Sequence, residues 1–483
     1  YYNMKYFNKL ILSNLKINLT FAAMFLILGM SWGQVTYYSK AAATNFNDVN
    51  SWGTVTDGSG TSPASISNAD NFDIRNASVM SLTGSVSVRQ LTLTTGSLAV
   101  SANTLTVSRS AGNLSTLLVA GGTLNVSGGT IILNGNFSMT SGGLTQSGGQ
   151  ITIDGNDNNA SATSCASGVH LFSITGGTIN CSAGNITIVD PPVNTYAIQT
   201  TRSINLSTTS SNTAFTGTHS FTTGDGVSTT PGNTDGFTIE CYASGRIPLQ
   251  NLICNGGSSA NRYTTGSFNS SAAYGTYIKN ILTVNAASEF RVNPNSTSAN
   301  EWVVGSIVNN GTITTSRASG PPVLTFGTNS GLSYVPTAVS NISGSGVFRN
   351  LVASPTASFG SVTFNNTLGV VFASPTLALV GGVTGTVSGT LTFTLGKVST
   401  SGQTFVMGIS GAAGTTSYTA GGFTSGSIFS RNWSAAGTGG VIAAGIDPTS
   451  AVARYPFVTA SGAGRSAFIE RTGPCTIRTI AIQ

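Results

Sequence analysis

Residues Leu91–Ile153 read LTLTTGSLAVSANTLTVSRSAGNLSTLLVAGGTLNVSGGTIILNGNFSMTSGGLTQSGGQITI. Short apolar triplets return along this stretch at a nearly fixed interval. They are Leu91-Thr92-Leu93, Leu98-Ala99-Val100 and Leu105-Thr106-Val107. After a slip across Ser110–Thr116 come Leu117-Leu118-Val119, Leu124-Asn125-Val126, Ile131-Ile132-Leu133, Phe137-Ser138-Met139, Leu144-Thr145-Gln146 and Ile151-Thr152-Ile153. The separators are Thr-Gly, Gly-Gly, Ser-Gly-Gly and Asn-Gly. In a strand the first and third side chains of a triplet share a face. Three residues with one apolar face cannot bury it alone and need similar neighbours stacked above and below. Three beats make roughly 21 residues, about one coil of a three-faced parallel β-helix. Antiparallel hairpins with the same turns are the competing arrangement. The triplets are shorter than ordinary hairpin strands, which favours the β-helix.

Composition agrees with an all-β chain. Charged residues are 7% of the 483, against about a quarter in an ordinary domain. Glu, Lys and Arg are scarce while Gly and β-branched residues abound, so long helices are not expected. The apolar fraction of 40% separates the chain from disordered polar tracts. The fold expected is a right-handed parallel β-helix, or β-solenoid, with an N-terminal cap and a C-terminal β segment. About 20 coils at ~4.8 Å each would make a rod on the order of 100 Å long.

The N-terminus carries the three parts of an export signal. Lys5, Lys9 and Lys16 follow Met4, Leu19–Met30 is apolar, and Ser31-Trp32-Gly33 places small residues before Gln34. The apolar run is shorter than the ~20 residues that span a membrane, and the mature chain is expected to have no span. Without these three lysines, 17 basic residues of the 20 face 14 acidic ones, a net of +3. They are scattered without a basic stripe, so nucleic acid is not an expected partner.

The remaining boundaries follow changes of pattern. Residues 34–80 are aromatic and Asn-rich, with Phe46, Trp52 and Phe72 suited to cover the apolar end of a stack. Residues 81–410 form the expected solenoid: regular over 81–190, with longer loops over 191–275 and wider coils over 276–410. Residues 411–483 shift again, with Arg431, Arg454, Arg465, Arg471 and Arg478 set against Asp447 and Glu470.

The segment Tyr37–Ser78, YYSKAAATNFNDVNSWGTVTDGSGTSPASISNADNFDIRNAS, resembles the start of large secreted, repeat-rich, adhesin-like surface proteins of Bacteroidetes, cargo of the type IX secretion system. The resemblance implies a cell-surface or released protein with a β-helical body. Such proteins usually end in a sorting domain, which is not seen before Gln483. Gly421-Gly422-Phe423, Ser430–Trp433 and Arg454–Val458 are similar to a β segment late in the same proteins, and read equally well as a terminal cap with surface arginines.

Candidates for chemistry are few. Asp154 and Asp157 lie in an Asn/Gly-rich stretch and are candidate calcium ligands, although Asp and Asn also serve turns by local backbone bonding. Asp225 and Asp235 form the other acidic group in the body. The histidines are His170 and His219, each in or beside a Ser/Thr-rich loop, and read as ordinary surface residues. Of the five cysteines, Cys165 with Cys181 and Cys241 with Cys254 are disulfide candidates by proximity, and Cys475 is left over; connectivity does not follow from sequence. No CxxC occurs, which argues against structural zinc. The expected function is non-catalytic: a secreted adhesin or extracellular stalk, with surface glycans or other extracellular ligands as partners and self-association through weakly charged faces. The alternatives are a polysaccharide-binding or polysaccharide-degrading β-helix protein, and an ice-binding protein using outward threonines such as Thr92, Thr94, Thr106, Thr392 and Thr394.

Overall fold

The computed structural model describes residues 34–77, 79–108, 115–154, 171–189, 196–200, 214–226, 237–241, 248–256, 263–267, 276–292, 301–315, 323–328, 335–350, 361–373, 378–379, 386–387, 390–401, 404–407, 415–424, 427–432, 454–458, 464–468 and 477–481. The expected export signal, residues 1–33, lies outside them. The described chain is all-β; its one helical element is a single 3-10 turn, Val49–Ser51. Most strands belong to one large, mostly parallel sheet, and the strands of Leu91–Ile153 pair in parallel, which sets the hairpin arrangement aside for that stretch.

The pairings form three ladders that the chain visits in rotation. In the first, Phe72 lies opposite Leu91, Leu91 opposite Leu117, Leu117 opposite Phe137 and Phe137 opposite Phe172. In the second, Met80, Leu98, Leu124, Leu144 and Ile179 follow one another in register. In the third, Val86, Leu105 and Ile131 do so, and then Ile151, Ile186, Phe221, Leu252, Leu282 and Ile307. The first and third residues of the sequence triplets are the buried ones, and side chains from all three ladders join one continuous apolar cluster. Removing them from water is the main force holding the rungs together.

The first three triplets are separate strands, but from Ser115 on they merge. Thr130–Asp154 is one strand of 25 residues that pairs in turn with the third, first and second ladders. Its backbone keeps bonding while it turns corners. At Gly142 and Gly149 φ is +83° and +71°, and an added Cβ would lie 2.0 Å from the Gly122 carbonyl oxygen and 2.3 Å from that of Gly129. Both positions need glycine, for conformation and for close approach.

At the N-terminal end, Phe46, Trp52 and Phe72 are buried together, with ring centroids of Trp52 at 5.0 Å from Phe46 and 4.8 Å from Phe72. The Trp52 Nε1–H donates to the Phe46 carbonyl at 2.9 Å. Here Thr36–Ser39 pairs antiparallel with Trp52–Gly53 and parallel with Asn71–Ile74. The fully buried Ser39 Oγ accepts the backbone N–H groups of Arg75, Asn76 and Ala77 at 3.0–3.1 Å.

Further along, phenylalanines replace aliphatic residues in the core. Phe326, Phe364 and Phe393 lie in register on the second ladder, with centroids 5.9 and 5.3 Å apart. Phe405 and Phe423 pack beside them. The last described strands turn antiparallel: Ile428–Asn432 with Ile477–Ala481, and Arg454–Val458 with Gly464–Phe468.

Candidate functional site

The residues singled out by sequence scatter. Asp154 is the buried last residue of the strand Thr130–Asp154 rather than part of a turn, and Asp157 lies outside the described residues. Asp235, His170, Cys165 and Cys475 lie outside them too, while Asp225 follows the strand Ser220–Thr223. Cys181 carries a free, buried thiol, stacked between Gln146 and Phe215 on the second ladder. Burial pushes its pKa up to about 12, so it is not a nucleophilic thiolate at neutral pH. Cys254 is packed into the third ladder between Thr223 and Val284, while Cys241 lies on the first, opposite Thr200. Among the described residues, no group of three or more His, Cys, Asp or Glu side chains gathers to hold a metal ion.

The outward threonine rows are short. Thr92 stands between Asp73 and Leu118, and Thr106 between Ser87 and Ile132. Among the described residues the longest row of hydroxyls is Thr325, Thr363, Thr392 and Ser417 on the second ladder, and Thr325 is buried.

His219 is not a surface residue. It is fully buried, with its ring 5.0 Å from that of Phe215 and 5.3 Å from that of Phe221. Its Nε2 lies 3.1 Å from Oε1 of the buried Gln146. The Gln146 Nε2 already donates to the carbonyls of Asn185 and Gly149 at 3.2 and 3.3 Å. Its Oε1 therefore accepts, which places the imidazole proton on Nε2 and leaves Nδ1 a bare lone pair. Nδ1 has no hydrogen-bond partner among the described residues. Burial lowers the His219 pKa to about 4, and the ring is neutral at physiological pH. The sequence held one signal for this contact: Leu144-Thr145-Gln146 puts an amide where its neighbours put an apolar residue.

A cleft of about 280 Å³ opens where the chain turns from the second ladder to the third. The strand Thr276–Val284 makes that turn at Lys279-Asn280, and Glu301–Asn309 makes it one rung later at Gly305. A Cβ at Gly305 would lie 2.4 Å from the Lys279 carbonyl oxygen, so the two rungs touch here and the position needs glycine. In the next rung the chain widens, and Val335–Val339 becomes a wall. Asn366 pins that wall, its Nδ2 donating to the Ala338 carbonyl at 2.9 Å and to Ser340 Oγ at 3.0 Å.

The lining is polar, with Lys279, Gln250, Asn280, Ser306 and Thr337 among it. Burial lowers the Lys279 pKa to about 8, so its ammonium is the majority form at neutral pH. The Asn280 Nδ2 donates to Asn251 Oδ1 at 2.8 Å, and Asn251 Nδ2 donates to the His219 carbonyl at 2.9 Å. This chain of amides fixes the Asn280 carboxamide with its Oδ1 left to accept. Ser306 Oγ accepts the Asn341 N–H at 2.9 Å, which leaves its hydroxyl proton to donate. One cation with fixed donors and acceptors can bind a polar ligand of small volume, near the ~300 Å³ lower bound of small-molecule clefts. Sequence reading missed this site because Gln250, Lys279, Ser306 and Thr337 come from successive rungs and share no local motif.

No family model, curated protein or solved structure matches this chain.

Proposed function

We propose that the three ladders are the faces of a right-handed parallel β-helix, and that the chain is a secreted, non-catalytic adhesin or extracellular stalk whose partners are surface glycans. In this reading residues 1–33 are an export signal, 34–80 cap the stack, 81–410 form the rod and 411–483 a terminal β segment. The observation that carries it is the parallel register, which passes from one rung to the next from Asn71 to Phe423 around a single apolar cluster. Such a stack grows in one dimension and suits a spacer that holds a surface away from a cell.

The rod is shorter than repeat length alone suggests. Several later rungs consume more residues than the regular ones, as in the steps from Phe137 to Phe172 and Ile313 to Phe348. A dozen or so rungs at ~4.8 Å give a rod of about 60 Å. The low charge of the chain, 7%, leaves little repulsion against side-by-side association. Helices long and apolar enough to cross a membrane are absent among the described residues.

The test is retention of the chain on immobilised glycans, scored together with release of soluble fragments. The reading expects retention without release. Released oligosaccharides would overturn the non-catalytic assignment, and no retention on any glycan would overturn adhesion. Small-angle scattering checks the rod, with a cross-section radius much smaller than the length expected.

A further inference from the structure

We propose that the cleft beside Lys279 binds an anionic saccharide unit, a sugar carrying a carboxylate or a sulfate. The proposal rests on the glycan-binding reading above and assigns it a place and a ligand chemistry. Saccharides are recognised through hydroxyls that both donate and accept, and fixed amides and hydroxyls supply both roles. Asn280 offers an acceptor held in place through Asn251, Ser306 offers a donor, and Gln250 on the preceding rung offers both. The ammonium of Lys279 adds the discrimination. A cation drawn partly out of water gains more from an anion set against it than an exposed lysine does, because the local dielectric is lower.

The shape restricts the ligand as well. Gly305 lets two rungs close on each other at the base of the cleft, and the wall Val335–Val339 is tied down by Asn366. The volume of about 280 Å³ suits a single sugar unit of a longer chain. Among the described residues lining the cleft, Lys279 is the one that carries a charge.

The experiment uses the full exported chain on alginate, hyaluronan and chondroitin sulfate, each beside its carboxyl-reduced or desulfated neutral form. At least one acidic polysaccharide should be retained, with at least a ~10-fold loss of affinity for its neutral counterpart. Lys279→Met should lose about 10-fold on the acidic form and nothing on the neutral one, while Lys279→Arg keeps most of the binding. Gln250→Leu, which removes no charge, should weaken both forms alike. Affinity of the unaltered chain should fall as the pH rises through about 8. Equal binding of acidic and neutral glycans, untouched by Lys279→Met, would overturn this assignment while leaving adhesion standing. No retention of any glycan would remove both.

Discussion

Residues 71–153 and residues 276–423 solve the same problem with different materials. In the first region side-chain bonds between neighbouring rungs join residues 19 to 21 apart, as in Thr104 to Ser85, Thr94 to Asp73, Asn103 to Leu82 and Ser141 to Ala120. The inward positions there are mostly Leu, Val, Ile and Met, with Phe72 and Phe137 on the first ladder, and glycines make tight corners. In the second region the equivalent bonds join residues 25 to 38 apart. Its core is built on Trp302, Phe326, Phe364, Phe393 and Phe423. The ladders nevertheless stay parallel and in register through both. What is held constant is the pairing of inward residues, and the corners absorb the variation. Lengthening a corner costs little, since the entropy of closing a loop grows only with the logarithm of its length. The core must still be filled to native density, and bulky rings do that.

The comparison can be broken from the aromatic side first. Phe364 touches Phe326, Phe393, Phe405 and Phe372. Phe364→Ala should cost about 3–5 kcal/mol, read as a lower urea midpoint at unchanged slope. Stacked rungs couple mainly to their neighbours. The fluorescence of Trp302 should therefore respond at lower urea than that of Trp52, which lies in the N-terminal end. Coincident transitions at both tryptophans would show that the two regions unfold as one.

The next largest effect is acid sensitivity at the join between the regions. The His219 pKa is lowered from 6.5 to about 4 by burial, so between these values the unfolded chain binds the extra proton and the folded chain does not. The stability is fully present above pH 6.5 and is lost as the pH falls towards 4, by about 3 kcal/mol in all. His219→Phe with Gln146→Leu removes the titrating group together with its amide partner. This double variant should flatten the urea midpoint across that pH window, and an unchanged slope would place the sensitivity elsewhere.

Corners give a smaller effect that sharpens the contrast. Gly142→Ala combines a φ of +83° with backbone 2.0 Å away and should cost about 2–3 kcal/mol. Gly226→Ala has the same φ of +83°, but its nearest neighbour is the Asn255 side chain at 3.2 Å, and about 1 kcal/mol is expected. Thermal unfolding of the pair separates rung contact from backbone preference. Smallest of all, Thr392→Ala should change stability by less than about 0.5 kcal/mol, since Thr392 is itself half-exposed.

The inward pattern was readable because it is local. Each triplet declares its own face, and Leu117, Leu124 and Ile131 are buried or paired as their alternation implies. The merging of triplets into Thr130–Asp154 was not readable. Gly-Gly looks like a break, and only the carbonyls of the rung beneath show why the strand continues through it. The histidine contact spans 73 residues between Gln146 and His219, and a Ser/Thr-rich loop around a lone His gives no sign of burial. The cleft was illegible for the same reason, being assembled from corners that become neighbours only after stacking.

The self-similar edge of each rung has an evolutionary consequence. A rung between Leu91 and Ile153 presents to the next nearly the surface it receives from the last. A gene that duplicates or deletes the DNA for one whole rung, by unequal recombination, joins two compatible edges and keeps every inward residue inward. A single inserted codon within a strand turns the same residues to the outside. Lineages carrying such a gene can therefore lengthen or shorten the molecule in whole steps, while changes between those steps are removed by selection.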